Sequence, residues 1–444
     1  MHNLAIALHH KGYQITGSDD EIFEPSKSRL ANLGLLPADE GWHPDKIDQS
    51  LDAVILGMHA RKDNPELARA LELGLKVYSY PEFLYEQSKN KTRVVIGGSH
   101  GKTSITAMIL HVLRTAGLDP DYMVGAKLEG FEVMVKLSEA ADLMIFEGDE
   151  YLTSPIDPRP KFHLYKPHIA LISGIAWDHI NVFPTFEMYV DQFRKFIQLI
   201  EPEGKLIYCK EDPDLCQLAD EFADTIYEIP YSVPEYEIKD GITYLISDNK
   251  KTSLKVFGKH NLLNINGAWN VCRMLGINDD MFIQAISEFP GAANRLELVL
   301  KTATCSVYRD FAHAPSKLMA TLNAVKEQFT DRELVACMEL HTFSSLSRDF
   351  LPHFANTMDK ADYPVVYFNP HAIAHKKLPP ISIEQVKEGF MNQRLRVFDD
   401  SDKMIEYLES FDWDQKNLLM MSSGNFNGLD INEFSKKILA KSQS

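Results

Sequence analysis

The chain reads as an α/β protein of three domains built mostly on parallel sheets, and three observations predict this. Short apolar strands alternate with amphipathic helices along most of its 444 residues, the pattern of strands joined by crossover helices. One strand, Val94 to Ile96, runs directly into a glycine turn and a helix, as parallel βα units do. The length also exceeds what one core supports and suggests about three domains, which we bound at residues 1–90, 91–292 and 293–444.

In the first domain, Leu4 to His10 reads as a helix, Tyr13 to Thr16 as a strand ending in Gly17-Ser18-Asp19, and Ser26 to Leu33 as a helix. A buried strand follows at Ala53 to Leu56, then a helix over Asn64 to Leu73 behind an Asn-Pro start, then a strand at Lys76 to Ser79. This is the succession of a small doubly wound sheet, except that it opens on a helix, without the strand and glycine turn that normally come first. The polar stretch Glu86 to Thr92 reads as the linker to the second domain. There the strand Arg93 to Ile96 precedes a helix over Ser104 to Ala116, which places Ile105, Met108, Ile109, Val112 and Leu113 on one face. Strands at Leu143 to Phe146 and Ile169 to Ile172 and a helix at Glu187 to Leu199 extend the unit, and Asp212 to Gly258 reads as a β-rich elaboration. In the third domain we read strands at Cys305 to Tyr308, Glu333 to Met338, Val365 to Phe368 and Asn417 to Met421. Helices there cover Ser316 to Gln328, Ile383 to Phe390, Ser401 to Glu409 and Asn432 to Ser442.

Charge and composition narrow the function classes. With 46 basic against 63 acidic residues the net charge is −17, which disfavours nonspecific binding to nucleic acid or to an anionic membrane. No apolar run approaches the roughly 20 residues that span a bilayer, and Met1 to Gly12 lacks the basic stretch of a signal peptide, so a cytoplasmic location is expected. The five cysteines are odd in number and show no CxxC spacing; they read as packing residues. An acidic protein that binds an anionic nucleotide must neutralise it locally, with a metal ion and a few cations.

The run Gly97-Gly98-Ser99-His100-Gly101-Lys102-Thr103-Ser104 supplies such a place. Gly98 and Gly101 can adopt backbone angles that turn successive N–H groups inward, and the following helix adds its positive end. Lys102 would reach the β- and γ-phosphates and Thr103 would ligate Mg²⁺. The residue five before Gly101 is Ile96, not the glycine of the general pattern. Glu147, with Asp149 and Glu150 just after it, follows an apolar strand, where α/β sheets hold their ligands; it reads either as a Mg²⁺ ligand or as an acidic cap. Asp178 and His179 follow another strand. Asn261 and Asn264 sit one turn apart at the start of a helix, either as caps or as amides facing adenine. Arg295 follows a Pro290-Gly291 turn, and Tyr308 to Pro315 is a strand ending in a polar loop.

In order and spacing, the cradle, Glu147, Asp178-His179, His260-Asn261, Asn264, Arg295 and Asp310 to Pro315 resemble the Mur ligase family across nearly the whole chain. Members of that family are ATP-dependent ligases that join an amino acid or peptide to a UDP-muramoyl precursor of the bacterial wall. The resemblance implies an N-terminal Rossmann-like, UDP-binding domain, here lacking its first strand and glycine loop. It further implies a central P-loop ATPase and a C-terminal Rossmann-like lobe that carries the amine and closes over ATP. It makes ATP and Mg²⁺ the cofactors, and UDP-N-acetylmuramate and a murein peptide the partners. Lys102, Glu147, His179 and Arg295 become the catalytic residues, with Thr103, Glu147 and His179 on the metal. Gly98 to Ser104, Asn261, Asn264, Arg295 and Asp310 would contact the nucleotide, and Ser18, Asp19, Asp149, Tyr151, His313 and His341 the other substrates.

Within the family the likeness is to the branch that attaches the tripeptide L-alanyl-γ-D-glutamyl-meso-diaminopimelate in murein recycling. Glu147-Gly148-Asp149-Glu150-Tyr151 resembles its acidic-Tyr signature, and Arg159-Pro160-Lys161-Phe162 and Asp178 to Phe183 resemble its central segment. The alanine-adding branch typically carries two arginines where this chain has His341-Thr342-Phe343-Ser344-Ser345, although the arginine usual in the recycling branch is also absent. An L-alanine acceptor is the alternative, followed by a polyglutamate-adding ligase of the same superfamily and a non-catalytic nucleotide-binding regulator. Two positions of the third domain depart from the family pattern, Arg309 and Ala314.

Overall fold

Three consecutive apolar positions in β3 (Thr92–Gly97), Val94, Val95 and Ile96, are fully shielded because this strand lies inside a sheet covered on both faces. The computed structural model describes all residues except 59, 126–130, 132, 155, 178–181 and 442–444. Its chain divides into two units, Met1–Ser232 with Leu263–Ile286, and Val233–Leu262 with Ser287–Ser444.

The first unit begins with α1 (His2–His10), α2 (Ser26–Asn32), β1 (Val54–Leu56), α3 (Pro65–Glu72), β2 (Val77–Ser79) and α4 (Tyr80–Ser88). Asn64 caps α3 by accepting from Glu66 N and Leu67 N. β1 and β2 pair in parallel, Val54 opposite Val77. Two expectations fail here. Tyr13 to Thr16 forms no strand: Tyr13 N bonds back to Leu8 O as α1 unwinds, and no pairing joins this segment to another among the described residues. Nor is Glu86 to Thr92 all linker, because α4 runs through Ser88. Its start is fixed by a capping box between Ser79 and Glu82 and by Pro81 in its first turn.

The central sheet has β3 (Thr92–Gly97), β4 (Asp121–Met123), β5 (Val135–Lys136), β6 (Leu143–Glu147), β9 (Ile169–Ile172), β10 (Lys205–Cys209) and β11 (Tyr227–Tyr231), in the order β11-β10-β9-β3-β6-β4-β5. Only β5 runs antiparallel to its neighbour. The hairpin β7 (Leu152–Ser154) and β8 (Asp157–Pro160) leaves the end of β6. Helices α5 (Lys102–Thr115), α6 (Phe186–Gln198), α7 (Pro213–Asp220), α8 (Lys259–Met274) and α9 (Asp279–Ser287) accompany the sheet. On α5 the predicted face, Ile105, Met108, Ile109, Val112 and Leu113, is fully buried. Phe162 packs beneath Gly97 and stacks on Phe196 of α6 at 4.5 Å. Registers Ile96 opposite Glu147 and Gly97 opposite Ile172 bring the C-terminal ends of β6, β3 and β9 side by side.

The predicted β-rich elaboration divides. Its first part contains α7 and the edge strand β11, while β12 (Tyr236–Lys239), β13 (Ile242–Ser247) and β14 (Lys250–Leu254) form an antiparallel sheet in the second unit. That unit is otherwise built on a six-stranded sheet with the order β15-β16-β20-β17-β18-β19. Its strands are β15 (Glu297–Lys301), β16 (Ser306–Asp310), β17 (Glu333–Leu340), β18 (Tyr363–Phe368), β19 (Arg396–Phe398) and β20 (Lys416–Met421). Its helices are α10 (Pro315–Gln328), α11 (Pro370–His375), α12 (Ile383–Phe390), α13 (Ser401–Glu409) and α14 (Ile431–Lys441). Only β15 is antiparallel, so both larger sheets are mainly parallel, as predicted. The five cysteines are free and four are buried. Among the described residues no helix is long and apolar enough to cross a membrane.

Candidate active site

Parallel strands end where βα loops gather, and the loop after β3 forms a cradle there. Gly98 (φ +123°) and Gly101 (φ +78°) hold left-handed backbone, and Gly101 immediately precedes α5, so the helix N-terminus opens into the turn. A Cβ on Gly98 would stand 2.9 Å from the backbone N of Ser173, and one on Gly101 would collide with Asn264 Oδ1. Ser173 Oγ donates to His100 O and so ties the loop to the end of β9. Gly98→Ala should therefore lower ADP affinity at least tenfold and destabilise the fold by about 1–3 kcal/mol. Calorimetric titration and thermal melting would read both, and wild-type values would contradict the close fit.

Lys102 and Glu150 form the centre of the site. Lys102 Nζ donates to Glu150 Oε2 at 2.6 Å and to Gly98 O at 2.7 Å. Burial pulls the Lys102 pKa down, but the carboxylates of Glu150, Asp149 and Glu147 outweigh it and the net shift is upward, so the ammonium stays charged. Burial also pushes Asp149 up, yet Lys161, 2.5 Å away, and Lys102 hold it below its ordinary value. Glu150, 1% exposed, also accepts from Tyr189 Oη of α6 at 3.1 Å. Tyr189 Oη lies 2.8 Å from Ser99 Oγ, which accepts from Ala176 N at 2.8 Å. A carboxylate only accepts, so this chain of hydroxyls points its donors one way, from Ser99 through Tyr189 to Glu150.

Thr103 Oγ1 donates to Glu147 Oε1 at 2.8 Å, and the other Glu147 oxygen accepts from Gly125 N at 2.9 Å. Both residues are buried. A hydroxyl and a carboxylate side by side at the mouth of a phosphate cradle are hard oxygen donors suited to Mg²⁺. Among the described residues no cluster of three or more His, Cys, Asp or Glu surrounds a metal position. With Thr103 and Glu147 as ligands, such an ion would complete its shell with phosphate oxygens and water. Asp178 and His179 lie outside the described residues.

The structure gathers Gly98 to Ser104, Glu147, Asp149, Tyr151 and Asn264 within the first unit. Tyr151 N bonds Asp149 Oδ1 at 3.1 Å, and the Tyr151 ring centre is 6.0 Å from Lys161 Nζ. Asn261, on the same helix as Asn264, spends its amide on Phe257 O at 2.9 Å. Ser18 and Asp19 lie in the segment before α2, where Asp19 O accepts from Gly41 N. In the second unit Asp310 is half-buried and accepts from Leu296 N and Ala312 N, both at 2.6 Å. Burial raises its pKa, and Arg295 only partly offsets this. The Arg295 guanidinium lies 4.6 Å over Phe311, whose carbonyl accepts from His313 Nδ1 at 2.7 Å. His341, at the end of β17, has Nδ1 3.7 Å from Glu339.

Arg309 has a structural explanation: it forms a two-pronged pair with Glu297 across β15 and β16, at 2.6 and 3.0 Å. Both side chains are about a third exposed, so Arg309→Ala should cost less than about 1 kcal/mol and leave turnover near wild type. A large loss of turnover with an unchanged melting temperature would instead give Arg309 a role in the reaction.

Sequence reading did not assign Glu150, Tyr189, Ser173 or Lys161 to the site. Glu150 carried a signal, being a second carboxylate three residues after Glu147 in the same strand-end loop. Tyr189 carried none, since on α6 it looks like any aromatic of the buried face.

Three family models match in sequence: the Mur ligase family catalytic domain over residues 1–92, the Mur ligase middle domain over 96–272, and the Mur ligase glutamate ligase domain over 294–424. The UDP-N-acetylmuramate–L-alanine ligase of Limosilactobacillus reuteri is 31% identical over 386 residues, covering 82% of this chain and 81% of that protein. Among solved structures, the UDP-N-acetylmuramate–alanine ligase of Thermotoga maritima is similar with a TM-score of 0.69 at 20% identity, covering 99% of this chain and 96% of its own. The murein peptide ligase of Psychrobacter arcticus is similar with a TM-score of 0.62 at 22% identity, covering 100% and 96%.

Proposed function

The chain belongs to the Mur ligase family of ATP-dependent, ADP-forming amide-bond ligases, and on that premise we propose that it joins an amine to the carboxylate of UDP-N-acetylmuramate, with L-alanine as acceptor. The observation that carries the reading is the pairing of Lys102 with Glu150 beside that of Thr103 with Glu147, at two adjacent strand ends.

Phosphoryl transfer depends on positioning and on neutralising charge. The cradle N–H groups and the N-terminus of α5 would hold the β- and γ-phosphates, and Lys102 would leave Glu150 to follow the γ-phosphate. The muramoyl carboxylate attacks the γ-phosphorus, the bond to the β-phosphate oxygen breaks, and ADP leaves. The amine then attacks the acyl carbon of the resulting acyl phosphate; inorganic phosphate departs and the nitrogen loses a proton. Thr103 and Glu147 would hold Mg²⁺, which when bound draws charge from the phosphate oxygens. Water has to be kept out between the two steps, because the acyl phosphate would otherwise hydrolyse.

L-Alanine is supported by the names of the sequence relatives, in place of the tripeptide expected from the signature around Tyr151. The tripeptide remains the second reading because residues 339–345 contain no arginine and His341 stands beside the buried carboxylate of Glu339. Supplying each acceptor separately with ATP and UDP-N-acetylmuramate decides between them. We expect kcat/KM to favour L-alanine at least tenfold, and the reverse ratio would transfer the assignment to the tripeptide.

A further inference from the structure

A cavity of about 720 Å³ opens in the first unit, away from the cradle. Helix α6 connects the two: near its start Tyr189 meets Glu150 of the cradle, and further on Gln192, Lys195 and Gln198, with Leu199 just past its end, line the cavity, from about 4.5 to about 15 Å along the helix axis from Tyr189. The cavity also meets β2 at its start, Lys76 to Tyr78, whereas the cradle lies at strand ends. Its size falls within the range of pockets that enclose small molecules.

The lining is cationic in a chain of net charge −17. Lys76, Arg159, Lys166 and Lys195 face it, against Glu82 and Glu86. Both carboxylates are engaged, Glu82 in the capping box of α4 and Glu86 with Lys89 at 3.1 Å. Arg159 and Lys195 pair with Asp157 and Asp191. Lys76 and Lys166 instead rest their ammonium groups over the Tyr78 and Tyr85 rings, at 4.5 and 5.3 Å. A ring face steadies an ammonium without consuming its charge.

The walls are also preset. Lys166 holds φ +42°, a costly conformation directly before Pro167, and it persists because Arg93 fixes the turn. The buried Arg93 guanidinium donates to Tyr165 O and Lys166 O at 2.9 Å. It also reaches Ser88 O, Lys89 O and Lys91 O at the end of α4, so it clamps two walls together.

We propose that this cavity binds a small phosphorylated molecule, its phosphate on Lys76 and Lys166 and its body on the apolar floor of Val77, Pro160, Leu164 and Leu199. Two ammonium groups with a guanidinium nearby favour a dianion over a monocarboxylate. The test is calorimetric titration of the full chain, its cradle first saturated with a non-hydrolysable ATP analogue and Mg²⁺. Ribose 5-phosphate, phenyl phosphate and inorganic pyrophosphate are the probes, and benzoate is the control. We expect one equivalent of a ring-bearing phosphate to bind more tightly than pyrophosphate or benzoate. Its affinity should fall at least tenfold in Lys76→Ala/Lys166→Ala. Both lysines are exposed, so a wild-type melting temperature will show that the double variant is folded. Phosphate probes that bind no better than benzoate, or binding that survives the double substitution, would overturn the proposal.

Discussion

Lys102→Met is expected to lower ATP-dependent ligation by a factor on the order of 10³ or more, because it removes the cation proposed to follow the transferring phosphoryl group. The same change removes the cation from a carboxylate that is 1% exposed, which costs about 3–5 kcal/mol when a buried charge loses its partner. Loss of activity and loss of stability would then be confounded. The double variant Lys102→Met/Glu150→Gln separates them, since a neutral amide still accepts from Tyr189 and needs no cation. Its melting temperature should recover most of the loss while turnover stays absent. Turnover that returned along with stability would show that Lys102 serves only the fold.

Glu147→Gln is expected to reduce kcat about 10²- to 10³-fold and to raise the Mg²⁺ concentration needed for half-maximal rate. An amide oxygen can still accept from Thr103 Oγ1 or Gly125 N, so stability should stay within about 1.5 kcal/mol of wild type. The measurement is initial rate against Mg²⁺ concentration for both proteins. Superimposable curves would mean that Glu147 acts as a strand-end cap and not as a metal ligand.

How far the sequence reveals these features depends on whether the signal is local. The cradle was legible because turn, strand and helix lie within a dozen residues, and Ile383–Phe390 and Ser401–Glu409 were legible because apolar periodicity and caps coincide there. The strand expected at Tyr13 to Thr16 failed for a nonlocal reason: among the described residues its β-forming residues pair with no other strand. Helix α4 was passed over although its capping box and Pro81 were in plain sequence, because the polar run after it resembled a linker. In the site, Gly98 to Thr103 and Glu147 follow from motif and position. The link from Lys102 through Glu150 and Tyr189 to Ser99 joins residues up to 90 positions apart, and only the packing of α6 against the sheet brings them together. Arg309 looked anomalous until β15, which had no readable periodicity, placed Glu297 opposite it.

The central claim is that this cradle activates a muramoyl carboxylate for amide formation. The most direct measurement is ADP release, followed with ATP and Mg²⁺ in the presence of UDP-N-acetylmuramate, of the amine, of both and of neither. The account predicts sustained ADP release only when both are present, with one amide formed per ADP. ADP release that ignores either substrate, or that proceeds without amide, would contradict it.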